Sequence, residues 1–234
     1  MDKFRLENMK NGITEDFDGT QYKYESPIPG VHIYSDVWPD AMKYFNELLE
    51  PEFWEKHKDD PGYTKWVRED FFDDKRWTRE NGKQSDTCWI YKWPEAIEAI
   101  SGPISSYLHH WTLDPHSRES LRISRYSPGE FFGAHSDDTF STPRTVSIVY
   151  YPNDDYEGGE LEFIHFGVKI KPKANQLFIF PSGYSYEHRI HDVFGDKHRW
   201  TIVSFLYFGT DKESDLRREG LTYPYEPQYV NLFE

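Results

Sequence analysis

From Leu121 to Phe208 the chain runs as a succession of short β-rich segments, each closed by turn residues. The segments are Leu121–Tyr126, Thr145–Tyr151, Glu160–Phe163, Val168–Ile170, Gln176–Phe180, Tyr186–Ile190 and Trp200–Phe208. Pro128-Gly129, Asn153-Asp154-Asp155, Gly158-Gly159 and Pro181-Ser182-Gly183 separate them. Strands this short bury an apolar face only by layering on one another, so the segment is expected to form a sandwich or barrel. Upstream, Ala41, Tyr44, Phe45, Leu48 and Leu49 recur at helical spacing after Pro39, and Pro51 ends that run. A second helix is expected from Pro94 to about Trp111, with Ile97, Ile100, Ile104 and Leu108 inward and a break at Gly102-Pro103. Residues 1–30 read as an extended arm, and residues 52–92 as a helical surface layer or a substrate-covering insertion. The expected fold is mainly β with flanking helices around a double-stranded β-helix, or jelly-roll, core. No repeat or linker divides the chain, so residues 1–234 are expected to be a single domain. Its parts are an arm and helical support (1–120), a core (121–208) and a tail (209–234).

Composition narrows the function classes. The formal net charge of -14 repels phosphate backbones, so nucleic acid is disfavoured as a partner. Aromatic residues make up 18% of the chain, enough to fill a core and to offer an extended peptide a ring-rich surface. The lone cysteine, Cys88, excludes an intrachain disulfide and a cysteine-based zinc site. Met1 to Gly19 offers no apolar leader and no segment reaches membrane-spanning length, so the expected compartment is cytoplasmic, with no membrane partner.

Within the β-rich part lies Gly133-Ala134-His135-Ser136-Asp137-Asp138. Residues i and i+2 of an extended segment share a face, so His135 and Asp137 can hold one ion while Asp138 points away. Ten histidines make about one such pair expected by chance, and His57-Lys58-Asp59 is a second, in a charged run that reads as solvated surface. A later histidine would complete a two-His, one-carboxylate facial triad. The candidates are His165, His188, His191 and His198. His188 opens a strand after Phe178-Ile179-Phe180-Pro181-Ser182; His191 falls on the opposite strand face, and His198 reads as a turn residue between Lys197 and Arg199.

These motifs resemble, in order, those of the 2-oxoglutarate- and iron(II)-dependent oxygenases, in their prolyl 4-hydroxylase-like branch. The likeness runs through Arg125-Tyr126-Ser127-Pro128-Gly129, the His-x-Asp pair, the strand Arg144 to Asn153, and Tyr156-Glu157-Gly158-Gly159-Glu160-Leu161. It ends at His188, with Ile190 and Val193 beyond it. The family places a basic residue about ten positions past the distal histidine for the far carboxylate of 2-oxoglutarate. Arg199 lies eleven past His188 and eight past His191, with Lys197 as the alternative. Tyr126 and Tyr151 match positions that hydrogen-bond the cosubstrate; Tyr150 faces the other way.

The resemblance thus implies iron(II) on His135, Asp137 and His188, with Arg199, Tyr126 and Tyr151 at the cosubstrate. It also implies O2 as oxidant, and admits L-ascorbate. The reaction implied is hydroxylation of a C–H bond with release of succinate and CO2. The substrate would be a peptidyl proline, or else a free amino acid, a lysyl residue or another small molecule. The competing classes are a cupin-like binding module without turnover and a zinc hydrolase. Neither gives Arg199 a role. The sequence does not specify the oligomeric state.

Overall fold

The computed structural model describes residues 10–48, 51–59, 62, 66–70, 78–91, 93–115, 117–138, 144–207 and 229–230. Three strands open the chain, β1 (Lys10–Glu15), β2 (Gln21–Ser26) and β3 (His32–Tyr34), followed by helices α1 (Ala41–Glu47) and α2 (Pro51–Lys56). Then come β4 (Val67–Asp70), β5 (Gln84–Ile90), helix α3 (Pro94–Trp111), β6 (Ser117–Glu119), β7 (Leu121–Tyr126), β8 (Phe132–His135) and β9 (Arg144–Tyr151). The remainder is β10 (Glu157–Gly158), β11 (Leu161–Phe163), β12 (Val168–Ile170), β13 (Gln176–Pro181), β14 (His188–Ile190), β15 (Val193–Phe194), β16 (Arg199–Tyr207) and β17 (Tyr229–Val230). No helix among the described residues is long and apolar enough to cross a membrane.

An 11-stranded sheet runs β1-β2-β3-β13-β9-β16-β7-β5-β4, with β6 and β17 attached beside β16. A 4-stranded sheet, β12-β11-β14-β8, lies over part of it, and the pair β10-β15 joins the rim. The alternation of strands sorts the large sheet into two faces. Leu121, Ile123, Val146, Ile148, Tyr150, Leu177, Ile179, Trp200, Ile202 and Leu206 face outward and pack with Ala41 and Phe45 of α1 and with Ile100, Ile104 and Leu108 of α3. Tyr151, Phe178 and Phe180 face inward and meet Leu161, Phe163 and Ile170 of the smaller sheet. This is the mainly β jelly roll with flanking helices that the run of short strands requires.

Three expectations change. The N-terminal part is not only an arm and a helical layer, because β1 to β5 extend the large sheet at both ends. Pro51 does not merely end a helix; it opens α2. Leu49, Phe71, Phe72, Trp77, Phe208 and the tail 209–228 lie outside the described residues. Finally, α3 passes unbroken through Gly102-Pro103. An interior proline costs about 3 kcal/mol. Burial of Ile100, Ile104 and Leu108 returns about 1.5–3 kcal/mol each, so packing outweighs the lost backbone bond.

Candidate metal centre

His135 ends β8 and His188 opens β14, and the two stand opposite each other as a cross-strand pair. Their rings lie 4.3 Å apart between centroids. Asp137 comes two residues after His135, in the bend beyond the strand end, so strand parity holds for the pair although β8 itself stops at His135. Asp137 Oδ1 is 3.7 Å from His135 Nε2 and its Oδ2 is 3.7 Å from His188 Nε2. The ligand atoms of these three residues all fall within 4.8 Å of one another, and they form the one such group of three or more among the described residues.

Each side chain is aimed by a backbone or hydroxyl partner. His135 Nδ1 is 2.8 Å from the Gly133 carbonyl and His188 Nδ1 is 3.0 Å from the Tyr186 carbonyl. A carbonyl only accepts, so both Nδ1 atoms carry the proton and both Nε2 lone pairs face the centre. Ser147 Oγ donates to Asp137 Oδ2 at 2.6 Å and is itself 2.7 Å from Ser182 Oγ. Burial, with the neighbouring His188 adding to it, pushes His135 down to about 3, which keeps it a neutral donor. Burial alone would raise Asp137, but His188, His135, Arg144 and the Ser147 hydroxyl outweigh it and hold the carboxyl below its ordinary value. Two imidazoles and one carboxylate, all directed inward, make a donor set suited to an iron(II)-type ion with open positions.

Further along the inner face, Arg199 is 0% exposed. Its Nε donates to the Gly159 carbonyl at 3.0 Å, while Nη1 and Nη2 are buried without a hydrogen-bond partner. The guanidinium carbon lies 5.2 Å from the Tyr126 ring centroid and 5.0 Å from that of Tyr151, so two rings clamp it. The Tyr156 hydroxyl is also buried and unpartnered. Burial raises the pKa of all three phenols, so they remain protonated donors. Gly159 makes the close approach feasible. It sits at φ +62°, and a Cβ there would come within 2.8 Å of Arg199 Cδ and 2.9 Å of the Tyr156 ring.

The other sequence candidates stand elsewhere. His191 Nε2 contacts Glu162 Oε2 at 2.6 Å, and His165 Nε2 lies 3.3 Å from Glu187. Lys197 is more than half exposed, so it is not inside the barrel with Arg199. His57 packs against Phe53, 4.6 Å between ring centroids, away from the centre. Sequence reasoning passed over Ser147, Tyr156 and Phe132, whose ring stacks on His135 at 3.5 Å. Only Ser147 carried a signal, since it shares an inward face with Tyr151 at even spacing.

Comparison with known proteins matches residues 121–207 to the family model of the 2OG-Fe(II) oxygenase superfamily. A PKHD-type hydroxylase of Parvibaculum lavamentivorans is 31% identical over 104 residues, 40% of this chain and 46% of that protein. The chain spans 46% of the length of the curated relatives it matches. Among solved structures, a prolyl hydroxylase of Trichoplax adhaerens, in complex with a peptide fragment of the hypoxia inducible factor oxygen degradation domain, aligns with a TM-score of 0.57. That alignment is at 16% identity, covering 83% of this chain and 88% of that one. A prolyl-4-hydroxylase of Pseudomonas putida aligns with a TM-score of 0.55 at 16% identity, over 77% of this chain and 94% of that one. At such identity these two likenesses are of fold.

Proposed function

Residues 121–207 match the model of the 2OG-Fe(II) oxygenase superfamily, and on that premise we propose that this protein is an iron(II)- and 2-oxoglutarate-dependent dioxygenase of the prolyl 4-hydroxylase-like kind. The observation that carries the proposal is Arg199. A buried guanidinium with two unpartnered nitrogens is costly unless a ligand completes it, and its planar fork fits a carboxylate. In a zinc hydrolase or an unliganded cupin-like module that cation has no use.

In this assignment His135, Asp137 and His188 hold the metal, and Arg199 takes the distal carboxylate of 2-oxoglutarate, with Tyr126, Tyr151 and Tyr156 donating beside it. Bound iron(II) supplies the coupling of O2 and 2-oxoglutarate decarboxylation, to succinate and CO2, with hydroxylation of a substrate C–H bond. The protein's part is orientation and exclusion. The carbonyls of Gly133 and Tyr186 fix the imidazoles, Ser147 fixes the carboxylate, and the clamped Arg199 sets where the far end of the cosubstrate sits. The buried apolar wall of Phe163, Phe178 and Phe180 keeps bulk water from the part of the inner face between the two sheets. The name of one curated relative, a putative prolyl 4-hydroxylase of Acanthamoeba polyphaga mimivirus, favours a peptidyl proline as substrate.

The test is anaerobic addition of iron(II) and 2-oxoglutarate to the apo protein. A weak visible charge-transfer band should appear only when both are present. Absence of the band while metal binding is confirmed by an independent assay refutes the cosubstrate assignment.

A further inference from the structure

The inward face of the large sheet carries more charge than the metal and the cosubstrate account for. Beside Tyr126, the Glu69 carboxylate contacts Lys83 Nζ and accepts from Thr87 Oγ1 at 2.5 Å. Across the sheet, Glu119 holds Arg144 through Nε at 2.9 Å and Nη2 at 3.1 Å and also accepts from the Tyr207 hydroxyl. Each carboxylate is therefore already matched to one cation. A third cation, Arg122, remains. No hydrogen bond or ion pair holds its guanidinium among the described residues, its Nε is buried without a partner, and its guanidinium carbon lies 5.9 Å from the centroid of the Phe205 ring. Glu69 feels Arg122 electrostatically without lying in contact with it.

Register places this cation. Trp89 of β5, Arg122 of β7, Val203 of β16 and Val149 of β9 stand side by side across four strands. All four are only partly buried, whereas the outward residues beside them, Ile123, Ile148 and Ile202, are buried. The row is thus the floor of an opening on the inner face. The next inner position along β9 from Val149 is Ser147, which anchors Asp137 and pairs across the ladder with Phe205. Arg122 stands one such step and two strands from Ser147, about 12 Å between backbones for a strand spacing of about 4.8 Å and a rise of about 3.3 Å. It lies four residues along β7 from Tyr126, the partner of Arg199, or about 13 Å at the same rise. The guanidinium groups of Arg122 and Arg199 therefore stand at separate places on the inner face.

We infer that Arg122 receives a carboxylate of the primary substrate, so that the molecule oxidised at the metal is an acid. This rests on the assignment of Arg199 to 2-oxoglutarate made above. The ion pairs of Lys83 and Arg144 flank the site and leave it with one net positive charge, which selects a singly charged anion over a neutral group and disfavours a second cation. The carboxylate can come from a free amino or imino acid, or from an aspartate or glutamate near the oxidised residue of a peptide.

The experiment is calorimetric titration of the anaerobic protein loaded with iron(II) and 2-oxoglutarate, using matched probes. One arm sets free amino acids, L-proline first, against their primary amides. The other sets proline-containing tetrapeptides with Asp or Glu against the same peptides with Asn or Gln. The arm that binds identifies the source of the carboxylate. The acid should bind at least about thirty-fold more tightly than its neutral twin, the lower end for a buried charge pair. Arg122→Gln should erase that preference, Arg122→Lys should restore part of it, and neither should change the affinity for 2-oxoglutarate. Should Arg122→Gln not fold, the wild-type comparison of acid with amide decides alone. Equal binding of acid and amide, a preference that survives Arg122→Gln, or no binding of any acid overturns the inference. If wild type binds no 2-oxoglutarate, the dioxygenase assignment itself fails; intact 2-oxoglutarate affinity with no acid preference removes only the role of Arg122.

Discussion

Truncation of Arg199 to alanine is the perturbation that most directly probes the cosubstrate pocket. The side chain is fully buried, pinned by one bond from Nε to Gly159, and leaves both terminal nitrogens for a ligand. A bound carboxylate would form a desolvated, bidentate pair with it. Removing one member of such a pair costs about 2–5 kcal/mol, most of it the penalty of stranding the other charge. At about 1.4 kcal/mol per tenfold, Arg199→Ala should weaken 2-oxoglutarate by roughly thirty- to several-thousand-fold. Arg199→Lys should recover only part of the loss, because a point charge on a flexible stem does not reproduce the fork. Affinity for iron(II) should change little, since Arg199 contacts none of the three metal-set side chains. The ligand-free Arg199→Ala protein should also remain folded, because an uncompensated buried cation has been removed along with its packing. The assay is titration of 2-oxoglutarate at fixed iron(II), without oxygen, followed by the visible band or by heat. Unchanged affinity in Arg199→Ala would refute the reasoning.

Three further outcomes are expected. His188→Ala should lose iron(II) binding in equilibrium dialysis, whereas His191→Ala should keep it, because the His191 ring is engaged by Glu162; the reverse pattern would move the metal to the other strand face. Ser147→Ala should weaken iron(II) about 10–100-fold with the fold intact by circular dichroism, since it removes the donor that orients Asp137. For pH, burial would raise the Glu69 carboxyl, but Lys83, Arg122 and the Thr87 hydroxyl outweigh it and bring it down to about 2 from 4.5. A carboxyl with a depressed folded-state pKa stabilises above its unfolded value and loses that contribution as pH falls through the folded one. Wild type should therefore lose stability in urea melts between about pH 4.5 and 2, and Glu69→Gln should show a flatter profile over that interval.

The sequence pattern was most informative where one strand face is apolar. β7, β9, β12, β13 and β16 could be read to within a residue or so, because alternating hydrophobic positions and turn residues bound them. His135 and Asp137 were legible through parity, and His188 through its place after the apolar strand β13. β5 was missed for a physical reason. Its inward residues Ser85 and Thr87 are buried against Glu69, so the polar lining of the site removes the alternation that marks a strand. β2, Gln-Tyr-Lys-Tyr-Glu-Ser, lies near the sheet edge with its polar residues partly in water, and reads as irregular chain. The surroundings of Arg199 were legible only as a resemblance, since Arg199 and Tyr156 are brought together at Gly159, across a turn, and no local pattern reports that approach. Arg122 carried no signal, because an arginine within a largely apolar strand looks like any edge residue until its neighbours are seen.

The cross-strand pairing of His135 with His188 ties the chemistry of the site to the topology of the chain. An ion bound by both is a reversible cross-link between β8 and β14, closing a long loop that contains most of the jelly roll. Loop closure removes entropy from the unfolded ensemble, so metal binding should raise the midpoint of thermal unfolding in a concentration-dependent way. Because side chains alternate between faces, a one-residue slip of β14 against β8 would turn His188 out of the barrel and release the ion. Metal occupancy is then a gauge of strand register, and a protein that has lost its iron has also lost the fastening that holds the smaller sheet in phase with itself.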